Sequence, residues 1–170
     1  MYYSVFNLFK IGIGPSSSHT VGPMVAAKTF LSSLSNITEI SSITIDVYGS
    51  LALTGHGHAT DKAILLGLEG YEPATVDPSI IDHRSDQIRS SKKIKLLGSH
   101  EISFIITEHM LFHMEKLLPH HSNGLCFSAY DEGGLKIANE NYYSVGGGAV
   151  LSEADFGRNT LSFQSVNATL

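Results

Sequence analysis

Four short stretches carry side chains able to do chemistry. The first is Gly14-Pro15-Ser16-Ser17-Ser18-His19-Thr20. It brings hydroxyls and free backbone N–H groups to the start of an apolar helical pattern. A helix N-terminus of that kind attracts carboxylate or phosphate. His19 adds an imidazole that titrates near neutral pH. The plainer reading of the same residues is an over-provided Ser/Thr cap. The second stretch is Gly55-His56-Gly57-His58-Ala59-Thr60-Asp61. Its two histidines could supply two metal ligands, but no third ligand stands at a telling spacing. A single general base is the more economical reading, and an exposed turn the plainer one. The third is His120-His121-Ser122-Asn123-Gly124, where Asn-Gly is itself a turn signal. The fourth, Asn141-Tyr142-Tyr143-Ser144, runs into Gly146-Gly147-Gly148. It suits either a close approach to a ligand or another segment, or the start of a flexible linker.

The elements that must position these groups follow from periodicity. Ser4–Phe9 reads as a short helical turn capped by Ser4. A helix is expected from about Val21 to Leu34, with Met24, Ala27, Leu31 and Leu34 on one face. Pro23 is tolerated there because it falls in the first turn. Ile43, Ile45 and Val47 alternate with Thr44, Asp46 and Tyr48, as in a half-buried strand. Loop is expected from Gly49 to His58, then a helix over Thr60–Glu69 and another over Pro78–Arg89. Beyond Ser91 the pattern turns to short strands: Lys93–Leu97, Glu101–Thr107, Leu111–Leu117, Leu125–Tyr130 and Leu135–Asn139. Glu132-Gly133-Gly134 reads as the turn between the last two. Helices in front and strands behind favour an α+β fold with a mixed, mainly antiparallel sheet and helices on one face. Residues 1–150 form the domain, and 151–170 read as a tail or linker. Within the strand runs, His113 is expected at the surface, Met114 in the core, and Cys126 as a small core residue. His83, His100 and His109 suggest no role.

Composition narrows the classes. The chain has 170 residues, 42% hydrophobic and 16% charged, which suits one globular core. A net charge of −5 argues against nucleic acid as the main partner. No apolar run approaches the roughly 20 residues of a membrane helix. The opening MYYSVFNLFK lacks the features of a secretory signal. One cysteine cannot form an internal disulfide, which fits a reducing, cytoplasmic compartment. Nor can it alone hold a cluster or a structural zinc, which take about four ligands. No metal site is expected in this chain.

Taken in order, the four stretches resemble one family. Ser4-Val5-Phe6-Asn7-Leu8-Phe9-Lys10-Ile11-Gly12-Ile13-Gly14-Pro15-Ser16-Ser17-Ser18-His19-Thr20-Val21-Gly22-Pro23-Met24 resembles the opening of the iron–sulfur L-serine dehydratases. Gly49–Ala63 is similar to their second signature, and Tyr142–Gly148 to their last β-domain signature. The turn at His121–Gly124 is similar to their His-Pro-Asn-Gly, with Ser122 in place of proline. The resemblance implies deamination of L-serine to pyruvate and ammonia. A base removes the α-proton, and a 4Fe-4S cluster held by a separate α domain helps the hydroxyl leave. It implies the serine dehydratase β fold, shared with allosteric substrate-binding domains, and a partner α domain or α subunit in a homo- or hetero-dimer. His58 is then the expected base, with His19 second, as a base or as a hydrogen-bonding group. Ser16, Ser17, Ser18 and Thr20 are expected to hold the substrate carboxylate. His121, Asn123 and Ser144 would complete the pocket wall or face the α domain. The alternative is a regulatory serine-binding module without catalysis.

Overall fold

The computed structural model describes residues 16–55 and 59–158. The expected helical turn at Ser4–Phe9, the residues His56–His58 and the tail beyond 158 lie outside the described residues.

Helix α1, Val21–Ser33, opens the fold. Met24, Ala27, Phe30 and Leu31 are buried at helical spacing. Strand β1, Ser42–Tyr48, alternates strictly, with Ile43, Ile45 and Val47 fully buried. Here the structure departs from the expected loop, because Gly49–Thr54 winds into a short helix, α2. Leu51 and Ala52 are buried while Leu53 and Thr54 are not, a one-sided pattern too short to stand out as a period. Helix α3 spans Thr60–Leu68 and α4 spans Ile81–Ser91, the latter entered through a 3-10 turn at Pro78–Ile80. The Asp77 side chain caps that turn by accepting from the Ser79 N–H at 2.9 Å.

The remaining elements are β2 (Lys93–Leu96), β3 (His100–Ser103), a turn of helix α5 (Ile106–His109), β4 (Met110–His113), β5 (Asn123–Tyr130), β6 (Lys136–Gly146) and β7 (Ala149–Ser152). One sheet has the order β4-β1-β5-β6-β7, and β2-β3 forms a separate hairpin. Only β1-β4 is parallel; the other pairs are antiparallel. The fold is therefore α+β with a mixed, mainly antiparallel sheet, as expected.

The inner sheet face carries Ile43, Ile45, Val47, Leu125, Phe127, Ala129 and Tyr142 against α1 and α3. Phe30 of α1 stacks on Phe127 with centroids 5.3 Å apart. Burying each such aromatic contributes about 2 kcal/mol. Where α1 meets α3, a Cβ on Gly67 would lie 2.9 Å from Ala27 Cβ, so glycine sets the closeness of that crossing.

Several local expectations change. The run Glu101–Thr107 breaks after Ser103, and Leu111–Leu117 stops as a strand at His113. Met114 is 51% exposed, whereas His113 is half-buried, stacked on Tyr48 and 2.6 Å from Asp46 Oδ1. Phe112, opposite Val47, keeps the core-side phase and His113 the outer one, but the strand ends before Met114, which turns out to solvent. Cys126 also faces away from the core, opposite Asp46, and accepts from Asn139 Nδ2 at 3.2 Å. Its neighbours Leu125 and Phe127 take the core side, and a pleated strand alternates. The run at Leu135–Asn139 extends to Gly146, and β7 then crosses the expected tail boundary at 151. Residues 153–158 are helical and lie against the opposite sheet face. There Phe156 packs edge-on against Tyr143 at 5.1 Å.

Candidate functional site

The serine loop folds as a turn wound directly onto α1. His19 N–H and Thr20 N–H both donate to Ser16 O, and Gly22 N–H donates to Ser17 O at 2.9 Å. Pro23 has no N–H to offer. Much of the helix terminus expected to attract an anion is thus spent on the loop itself. What remains is a set of side-chain hydroxyls around one imidazole. His19 Nδ1 is hydrogen-bonded to Ser18 Oγ at 2.9 Å and Ser16 Oγ at 3.3 Å. His19 Nε2 is hydrogen-bonded to Ser50 Oγ at 3.2 Å. A hydroxyl can donate or accept, so these partners accommodate either tautomer and the protonated ring.

The other three stretches converge on this cluster. Ser50 is the second residue of α2, and its N–H donates to Ser122 O at 2.9 Å. Thr60 Oγ1 donates to His19 O at 2.6 Å, which ties the start of α3 to the serine loop. Ser144 Oγ donates to Ser18 O at 2.8 Å. Asn123 Nδ2 donates to Ser144 O at 3.1 Å. Gly22 makes that meeting possible, since a Cβ there would collide with Ser144 Oγ. Ala59, just before α3, sits at φ +58°, a left-handed conformation that costs a non-glycine residue roughly 1 kcal/mol.

The expected site residues therefore divide. Ser16, Ser18 and His19 stand partly open in one cluster. Ser17 is partly open beside them and lends its carbonyl to the turn. Thr20 is buried and donates to Ser16 O at 2.7 Å, so its hydroxyl holds the loop. Ser144 is fully buried and likewise locks two loops together. Asn123 is buried, and its Oδ1 has no hydrogen-bond partner among the described residues. His121 Nδ1 accepts from Asn123 N–H at 3.0 Å, which places the ring proton of the neutral form on Nε2. His58 lies outside the described residues. Ser50 was not singled out by the sequence; it stands five residues before the histidine stretch that opens at Gly55.

A cluster does not fit the one cysteine. Cys126 lies on the outer sheet face, and burial pushes its thiol above the usual range. Among the described residues no group of three or more His, Cys, Asp or Glu side chains could hold a metal ion. Among the same residues no helix is long and apolar enough to cross a membrane.

The fold and the cluster define a class: an α+β domain that gathers hydroxyls and imidazoles where a small polar molecule could be oriented. The family model for the serine dehydratase beta chain matches residues 4–155. The chain belongs to that family. It is 53% identical over 156 residues to an L-serine dehydratase of Streptomyces coelicolor, covering 90% of this chain and 34% of the relative. It is 44% identical over 167 residues to L-serine dehydratase 1 of Escherichia coli, covering 96% and 36%. With the L-serine dehydratase of Haemophilus influenzae the identity is 42%, covering 91% and 35%. The chain spans about a third of the length of the curated relatives it matches.

Proposed function

We propose that this chain is the substrate-orienting β part of an L-serine ammonia-lyase that converts L-serine to pyruvate and ammonia in the cytoplasm. The observation that carries the reading is the meeting of all four motif stretches at the His19–Ser50 contact. Removing the α-proton of serine needs a base held at one place, and the carboxylate needs donors that keep the carbon facing that base. Ser16 and Ser18 supply the donors, and His19 is held ready to hydrogen-bond the substrate or take a proton. His58, two residues before Thr60 in the sequence, is the proposed base. The iron–sulfur cluster implied by the resemblance would draw its ligands from a separate α domain, because Cys126 does not fit that role.

The test is anaerobic serine deamination with added iron and sulfide, with and without a co-expressed α polypeptide. Ammonia and pyruvate are expected only with the α polypeptide. Substituting His58→Ala should then lower kcat by at least about 100-fold with a smaller change in KM. An unchanged kcat would remove His58 from the role of base. Serine binding by calorimetry with no turnover in either case would favour the regulatory module.

A further inference from the structure

Three large apolar side chains stand out from the surface beside the His19–Ser50 contact. Leu53, Met114 and Leu117 are 63%, 51% and 69% exposed. Leu117 reaches over the first turn of α2, where its Cδ2 lies 2.7 Å from the place a Cβ on Gly49 would occupy. Leu53 stands on the same short helix, three residues beyond Ser50. The loop carrying Met114 and Leu117 is tied down there, since Gly49 N–H donates to Lys116 O at 3.0 Å. The patch therefore adjoins Ser50, the residue that holds His19 Nε2. Exposed leucines scattered singly need no explanation, but a cluster at the rim of a site marks an interaction surface.

Two observations say what covers it. The matched relatives are about three times the length of this chain, so most of the enzyme lies elsewhere. The described chain also returns to this loop: His120 stacks on Phe156 at 4.6 Å and bonds Glu153 at 2.9 Å. The last described helical segment, 153–158, therefore lies against the loop that bears Leu117.

We propose that Leu53, Met114 and Leu117 are the docking surface for the remaining two thirds of the enzyme, and that docking there closes the rim of the His19 cluster. The proposal rests on the dehydratase reading. Hydrogen exchange of the whole chain, alone and with the α polypeptide, tests it. Amides of α2 and of residues 114–118 should exchange at least about 10-fold more slowly in the complex. Leu53→Glu with Leu117→Glu should weaken association by about 100-fold or more. Leu135→Glu, at a leucine 68% exposed in the turn at the far end of β5, should leave association unchanged. Circular dichroism of the double variant confirms that it folds, and the exchange measurement on the unsubstituted chain does not depend on it. Absence of a complex, unslowed exchange at the patch, or association indifferent to the glutamates overturns the proposal. So does slowing that grows with concentration of the chain alone, which assigns the patch to a second copy. A protected patch without deamination would sink the dehydratase reading and leave the surface standing; deamination with an unprotected patch would do the reverse.

Discussion

His19 shows how much one side chain here depends on others distant in sequence. Ser16 and Ser18 are its near neighbours, but Ser50 reaches it from 31 positions away. The loop that holds His19 is in turn pinned by Ser144, 126 positions from Ser18. That pin needs the bare backbone of Gly22, where a methyl group would overlap the Ser144 hydroxyl. Gly22→Ala should therefore push the two loops apart. The expected cost is about 1–3 kcal/mol by overpacking, read as a lower urea midpoint. Serine turnover in the complex should fall with it. A variant as stable and active as the parent would show that the pin is dispensable. The residue types in the motif stretches were legible in the sequence, and so was the chemistry they suit. Their division into open hydroxyls and buried locks was not. That the Thr20 and Ser144 hydroxyls donate to backbone carbonyls is visible only in the tertiary structure.

At the scale of elements, the strongest positioning device lies behind the site. Glu69, just past α3, is buried and receives two hydrogen bonds from the Arg84 guanidinium, both at 2.6 Å. Lys95 N–H adds a third at 3.2 Å, so one carboxylate joins α3, α4 and β2. The bond to Glu69 holds the Arg84 guanidinium above its usual range. Glu69→Ala would strand a partly buried arginine and free three elements at once. A loss of about 3 kcal/mol is expected, since breaking such a pair leaves an uncompensated charge. Chemical denaturation with an unchanged m-value measures it. A loss below about 1 kcal/mol would mean that solvent screens the pair. Long periodic elements such as α1 and β1 were readable because their burial repeats several times. Short ones were not: α2 is six residues long, and the 114–118 loop follows a strand of only four.

For the molecule as a whole, the segment 153–158 is the part whose attachment responds to acid. Glu153 accepts from Tyr143 Oη at 2.6 Å and from Asn141 Nδ2 at 3.2 Å, and pairs with His120. The Tyr143 hydroxyl, chiefly, holds the Glu153 carboxyl below the usual range, and burial together with that carboxylate holds the phenol well above its own. A carboxyl depressed in the folded state contributes stability above its unfolded pKa, ordinarily about 4.3. That contribution is lost as pH falls through the lower folded value. Backbone NMR signals of residues 153–158 should therefore shift below about pH 4 before the sheet itself unfolds. Asp155, which accepts from Ser152 N–H and Oγ, is held low as well, so Glu153→Gln should reduce that acid-range step to the Asp155 part, and an unaltered titration would refute the assignment.

Sequence alone determined the fold class, the family and the four chemistry-bearing stretches. Each of these depends on short-range order: a repeating burial period, or a run of adjacent residue types. Tertiary structure decided which hydroxyls stay open, that Ser50 completes the His19 cluster, that Cys126 and Met114 lie outside the core, and that β7 extends the sheet past the expected boundary. Apart from Cys126, whose outward face follows from the alternation of Leu125 and Phe127, these depend on contacts between residues tens of positions apart, or on where a short strand stops. No local pattern encodes either.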